Sequence, residues 1–107
     1  MEIKKSRQLV VELQLDVYEW ITICQRCALP PLFTQKFSQI SHRWLPELRE
    51  NAADYNQFSR SFDLFMREAR SFVTFWRGQL GPVFVAFCNL MLLKIKKTEQ
   101  KIAILIV

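Results

Sequence analysis

Apolar residues recur at steps of three and four along residues 3–28, which is the spacing of one face of an α-helix. The apolar positions on this face are Leu9, Val10, Leu13, Val17, Trp20, Ile21, Cys24 and Cys27. Glu12 and Glu19 fall on the opposite side of the helical wheel, with Asp16 at its edge. The pattern predicts an amphipathic helix that ends before Pro30, because proline has no backbone N–H to donate.

The same spacing predicts two more helices, of which the second is long. Residues 32–44 form the first, and Pro46 then suits the opening turn of a new helix. No glycine or proline interrupts the chain from there to Trp76. The apolar stripe of this long helix comprises Leu48, Ala52, Tyr55, Phe58, Phe62, Phe65, Ala69, Phe72 and Trp76. We therefore predict one central helix of about thirty residues, or ~45 Å at 1.5 Å rise per residue.

The last third of the chain is apolar on nearly all sides of the helical wheel. Pro82 suits a first turn, and the segment 82–97 has no continuous polar face before its lysines. A helix of this kind is buried on several sides, in a bundle or in lipid. The apolar residues 102–107 then either pack on the bundle, pair with a neighbouring chain or mark a gene boundary.

Turn-forming residues are scarce, with two glycines and four prolines in 107 residues. A β-sandwich needs turn residues at short intervals, and a dinucleotide-binding fold needs a glycine cluster, so both are excluded. We predict an all-α fold, a single domain over residues 1–107 built as a four- to five-helix bundle. Its core or subunit contacts are expected to include Leu9, Val17, Trp20, Phe37, Trp44, Phe62, Phe65, Trp76 and Phe87.

Charge and cysteine usage narrow the range of partners and compartments. The formal net charge of +5 and the isoelectric point near 9.4 suit an acidic partner such as nucleic acid, although plain soluble proteins also carry such charges. Three cysteines form no disulfide framework of the small secreted type. Residues 1–8 lead into an amphipathic run rather than a continuous apolar one, so we expect no signal peptide and a cytoplasmic location.

Cys24 and Cys27 form a C-x-x-C pair, the spacing of redox dithiols and of half a zinc site. The pair closes a helix, and only His42 and Cys88 remain as further ligands. His42 projects away from the apolar side of its helix and is expected in solvent. We interpret the cysteines as buried packing residues and predict neither metal nor cofactor. No catalytic motif is present either, so we expect no enzyme activity.

Residues 80–93 form an apolar segment of fourteen residues, shorter than the roughly twenty that cross the hydrocarbon core of a bilayer. The cationic residues Lys94, Lys96 and Lys97 follow it and would suit an anionic lipid surface. We favour a helix that is buried in the bundle and is followed by charged residues at its end. A small membrane-associated protein is the alternative.

The arginines of the predicted long helix are segregated to one side. At about 100° per residue they fall within an arc of ~100° and face away from the phenylalanine stripe. They are Arg49, Arg60, Arg67, Arg70 and Arg77. Arginine makes two parallel hydrogen bonds to a phosphate, so the pattern predicts contact with a nucleic-acid sugar–phosphate backbone. Further candidate cations for this contact are Lys36, Arg43, Lys94, Lys96 and Lys97.

A solvated charged face is the other interpretation of these arginines. Asp63 and Arg67 lie at i,i+4 and would then form an ion pair within the helix. The protein would in that case be a protein-interaction bundle that binds a partner through its aromatic stripe and apolar end. No recognition helix, zinc finger or RNA-recognition signature supports base-specific readout.

A basic, all-α chain of this size, with an arginine-lined helix and no catalytic motif, resembles the small subunits of CRISPR effector complexes of the Cascade type. The resemblance rests on size, helical content and the arginine pattern together with Lys36 and Arg43. It implies a non-catalytic subunit in a ribonucleoprotein assembly, whose partners are other protein subunits and further copies of itself. It also implies backbone contact with target or displaced DNA beside a guide RNA.

Overall fold

The computed structural model describes the backbone of residues 3–27, 29–79 and 81–106, and the side chains of residues 7–27, 29–79 and 81–103. Four α-helices account for almost all of these residues: α1 (Ile3–Arg26), α2 (Pro31–Glu50), α3 (Tyr55–Gln79) and α4 (Pro82–Ile106). A short 3-10 helix, Asn51–Ala53, joins α2 to α3. The predicted all-α bundle is confirmed, with four helices.

Prolines open two of the helices, as the sequence predicts for Pro82. The carbonyl of Gly81 accepts hydrogen bonds from the N–H groups of Phe84 at 3.0 Å and Val85 at 3.2 Å. Pro31 stands in the first turn of α2, where a missing N–H costs no intrahelical hydrogen bond. The connections between helices are short, so each helix runs antiparallel to the one before it.

The boundary between α2 and α3 differs from the prediction. Helix α2 continues through Pro46 to Glu50, and α3 begins at Tyr55 rather than near Pro46. Asp54 has an extended backbone, and its Oδ1 accepts hydrogen bonds from the N–H groups of Asn56 at 3.0 Å and Gln57 at 3.4 Å. Asp54 is therefore the N-cap of α3, and it separates two helices that the apolar stripe had joined into one.

Aromatic side chains make up much of the core between α1, α2 and α3. Trp20, Phe33, Phe37, Phe58 and Phe65 are all fully buried. The ring of Phe33 lies 5.0 Å from that of Phe72 and 5.7 Å from that of Trp76 (centroid distances), which fixes the antiparallel register of α2 and α3. The predicted core residues lie in this core, Trp44 and Trp76 being half-buried against it.

A polar seam joins α1 to α4. Lys94 Nζ lies 2.8 Å from Glu19 Oε1, and Lys101 Nζ lies 2.8 Å from Asp16 Oδ2 and 3.3 Å from Glu12 Oε2. These carboxylates therefore lie at the contact with α4, and Glu19 remains exposed at its edge. Burial alone would lower the pKa of Lys101, but the hydrogen bonds that its ammonium group donates to Asp16 and Glu12, together with their negative charge, raise it above its ordinary value.

Helix α4 is not covered on every side, contrary to the sequence-based expectation. Val83 is 81% exposed, and Leu90 and Leu93 are also exposed on its outer face. Ile102 is fully buried, so the start of the apolar end packs on the bundle, whereas the side chains of residues 104–107 lie outside the described residues. Within the described part of the chain, no helix combines the length and apolar character needed to cross a membrane.

Candidate phosphate-binding face

The exposed side of α3 carries two arginines directly opposite the core. At about 100° per residue, Arg60 and Arg67 point roughly 180° away from the buried Phe58 and Phe65. They are about two helical turns apart, or ~10 Å along the axis. Both are exposed, and neither forms an ion pair with any residue whose side chain the structure describes. The i,i+4 pair between Asp63 and Arg67 is not formed.

These two arginines belong to a mixed surface that we call the α3 outer face. Its exposed residues are Asn56, Arg60, Asp63, Leu64, Arg67, Ser71, Thr74 and Phe75. Hydroxyl and amide groups on this face, such as those of Ser71 and Asn56, are common phosphate-contact groups. The α3 outer face therefore combines free guanidinium groups with polar groups that can donate hydrogen bonds to an oxyanion.

Arg70 and Arg77 turn from this face toward α4. Arg70 forms an ion pair with Glu99, and Arg77 Nη1 donates a hydrogen bond to Asn89 Oδ1 at 3.0 Å. Both side chains remain exposed at the edge of the α3–α4 contact. These contacts join α3 to α4, so the two guanidinium groups are already partly satisfied by partners within the protein.

Arg43 is also engaged, in a contact between α2 and α3. It forms an ion pair with Glu68, whose second carboxylate oxygen accepts a hydrogen bond from the indole N–H of Trp44. Burial alone would raise the pKa of Glu68, but the hydrogen bonds from Arg43 and Trp44 and the charge of Arg43 lower it below its ordinary value. The Arg43 guanidinium also lies over the Trp44 ring, 5.7 Å from its centroid.

The remaining predicted cations are dispersed over the bundle. Arg49 lies in the last turn of α2, where its positive charge interacts favourably with the negative end of the helix dipole. Because it belongs to α2, it does not continue the row of arginines on α3. Lys36 borders a shallow cleft between α2 and α3. Lys96 borders the cleft between α3 and α4, whereas Lys94 and Lys97 line the groove beside α1.

The structure thus assembles part of the predicted site. Arg60 and Arg67 form its centre, and Arg70 and Lys96 lie on its α4 side. Phe75, which the sequence analysis left out, is also on the α3 outer face and is 63% exposed. The signal for it was present, since Phe75 falls outside the three-and-four stripe of apolar residues on this helix.

The cysteines do not form a site with His42. Cys24 and Cys88 are buried, whereas Cys27 is exposed in the turn after α1, so the prediction of a buried pair is wrong for Cys27. Burial raises the pKa of Cys24 to about 12 and also raises that of Cys88. His42 is exposed, as predicted, and its Nδ1 lies 3.2 Å from Ser38 Oγ. No metal-binding cluster of three His, Cys, Asp or Glu residues occurs among the described residues.

Comparison with protein-family models, with curated proteins and with solved structures found no match for this chain.

Proposed function

We propose that this protein is a non-catalytic helical subunit that binds the sugar–phosphate backbone of a nucleic acid through the α3 outer face. The observation that carries the proposal is the pair Arg60 and Arg67. Both guanidinium groups are exposed and opposite the core, and no described acidic side chain forms an ion pair with them. A guanidinium group of this kind gains a bidentate, charge-assisted contact when a phosphate approaches it.

The chemistry of this face favours backbone contact over base readout. Phosphate contacts position a nucleic acid but carry no sequence information. Arg60 and Arg67 would contact phosphates directly, Ser71 and Thr74 would donate hydrogen bonds from their hydroxyls, and Lys96 would add positive charge at the edge. Asp63 is the one acidic residue among the exposed residues of this face. Its carboxylate would repel a phosphate that came close to it, and this repulsion weakens with distance.

The assembly that this function requires would be a cytoplasmic ribonucleoprotein of the kind that the resemblance to Cascade-type small subunits implies. The size, the helical bundle and the positively charged face are compatible with that role. In such an assembly the subunit would lie along a nucleic-acid strand beside further copies of itself or other protein subunits.

A charge-reversal experiment tests the proposal. The variant Arg60→Glu/Arg67→Glu should lower affinity for nucleic acid by at least about tenfold at moderate salt, because two phosphate contacts become repulsive. The matched control is Arg7→Glu/Arg26→Glu, which changes the net charge equally with two exposed arginines of α1. Fluorescence anisotropy with labelled oligomers measures both variants, and circular dichroism checks that each one folds.

The control separates a local contact from a general effect of net charge. A large loss in the α3 variant with a small loss in the α1 variant supports the proposal. Equal losses would show that affinity follows net charge alone, and no loss in either variant would show that the α3 outer face is merely solvated.

A second candidate function is contact with a partner protein. Exposed apolar residues at helical spacing support it, namely Val11, Leu15 and Tyr18 on α1 and Val83, Leu90 and Leu93 on α4. Exposed apolar surface of this kind is typical of contact sites between proteins. The two functions are compatible, because these residues lie on helices other than α3.

A further inference from the structure

Phe75 is a large aromatic side chain held in solvent on the α3 outer face. It is 63% exposed, although the eight other phenylalanines of the chain are buried or half-buried. Its ring stands at 84° to the ring of Trp76, with 6.5 Å between the two centroids. Trp76 is in turn fixed by contacts with Phe33 and Phe72, so the exposed ring is supported by the core.

The position of Phe75 relates it to the proposed phosphate contacts. Arg67, Ser71 and Phe75 follow one another at i, i+4 and i+8, which is a single row along the helix surface. The row covers about 12 Å from its guanidinium end to its aromatic end. The guanidinium group of Arg67 and the hydroxyl of Ser71 therefore lie in line with the exposed ring of Phe75, which has no hydrogen-bonding group of its own.

We propose that this row binds single-stranded nucleic acid, with an unpaired base stacked on Phe75 while Arg67 and Arg60 contact phosphates of the same strand. The inference rests on the proposed function and narrows its ligand to unpaired strands. Aromatic side chains stack on any base because every base has a π-face, so no sequence preference is required. In a duplex the bases are already stacked on each other, and Phe75 then has no free base face to contact.

The ring of Phe75 and the guanidinium groups of Arg60 and Arg67 contribute to binding in different ways, so substitutions at Phe75 measure the contribution of the ring alone. Phe75→Ala and Phe75→Leu remove the aromatic ring, whereas Phe75→Tyr keeps it. Val83→Ala is the matched control, because it truncates an exposed apolar side chain on α4. The probes are a labelled thymidine oligomer and a duplex of equal length, and circular dichroism confirms the fold of each variant.

We expect Phe75→Ala and Phe75→Leu to weaken binding of the thymidine oligomer by about fivefold or more and to leave duplex binding almost unchanged. Phe75→Tyr and Val83→Ala should bind both probes as the parent protein does. Ultraviolet crosslinking of a bromodeoxyuridine-substituted oligomer should attach the strand to the peptide that contains Phe75.

Other outcomes overturn the inference. Equal losses for the oligomer and the duplex would mean that the ring supports the surface rather than stacks on a base. Unchanged binding, or a change in self-association alone, would assign Phe75 to a protein contact. If the Arg60→Glu/Arg67→Glu variant still loses affinity in those cases, the phosphate-binding function stands without the stacking, and if it does not, both proposals fail.

Discussion

At the scale of single residues, the carboxylate of Glu68 pairs with Arg43, a cation that the charge pattern alone assigns to ligand binding. Its two oxygens bind Arg43 and the indole of Trp44, and these contacts hold α2 against α3. By sequence, Arg43 is one of the candidate cations for phosphate contact, whereas in the structure Glu68 pairs with it. The two residues are 25 positions apart, so their pairing depends on the register of two helices and cannot be read from the spacing within one.

The lowered pKa of Glu68 gives a pH-dependent prediction. A carboxylate whose pKa is lower in the folded state stabilises the fold above its ordinary pKa, and this contribution is lost as the pH falls through the lowered value. Glu68→Gln should therefore lower the free energy of unfolding by about 1 kcal/mol at neutral pH, a value reduced for partial exposure. The difference from the parent protein should shrink in acid.

Urea denaturation followed by tryptophan fluorescence measures this difference at several pH values. Glu50→Gln is the control, because Glu50 is exposed and forms no ion pair with the described residues. A Glu68→Gln deficit that stays constant from neutral to acidic pH would contradict the account, since the carboxylate charge would then contribute nothing.

At the scale of the elements, the turn between α2 and α3 decides which arginines share a helix. The apolar stripe from Leu48 to Trp76 keeps its three-and-four spacing across this turn, so periodicity alone does not show it. Asp54 with Gln57 three residues later is the stronger local signal, because it matches a helix N-terminus. As a result Arg49 ends α2, and four arginines remain on α3.

The cap at Asp54 predicts a stability effect that a continuous helix would not show. Asp54→Ala removes the acceptor of two backbone N–H groups and should lower the free energy of unfolding by about 1 kcal/mol. Asp63→Ala removes an exposed carboxylate from the middle of the same helix and serves as the control. Chemical denaturation followed by circular dichroism compares the two, and equal effects would contradict the role of Asp54 as a cap.

Apolar spacing predicted the buried faces of α1 and α3, although it missed the break between α2 and α3 and the exposed side of α4. Leu9, Val17 and Trp20 lie in the core as the helical wheel of α1 indicates. The candidate site was predicted less completely. A helical wheel shows the direction of Arg70 from the axis of α3, but it does not show that Glu99 of α4 forms an ion pair with Arg70. Phe75 was missed although its position falls outside the buried stripe, because only charged and polar side chains were considered as ligand contacts on the exposed side.

At the scale of the whole molecule, the unpaired arginines Arg60 and Arg67 and most of the exposed apolar residues lie on different helices of the described chain. The bundle measures 45 × 22 × 20 Å, and its polar seam lies between α1 and α4 while Arg60 and Arg67 lie on α3. Most of the large exposed apolar residues lie on α1 and α4, and Leu64 and Phe75 lie on α3. One surface is thus available for a strand while others remain available for neighbouring subunits.

The salt dependence of binding tests the central claim most directly, because each phosphate contact releases counterions and adds about 0.7 to 0.9 to the log–log slope. Affinity for a thymidine oligomer should be measured over a range of salt concentrations for the parent protein and for Arg60→Gln/Arg67→Gln. The variant slope is expected to be shallower by about 1.4, because each of two lost contacts to a single strand contributes about 0.7. Parallel slopes for the two proteins would contradict the claim, because Arg60 and Arg67 would then contact no phosphate.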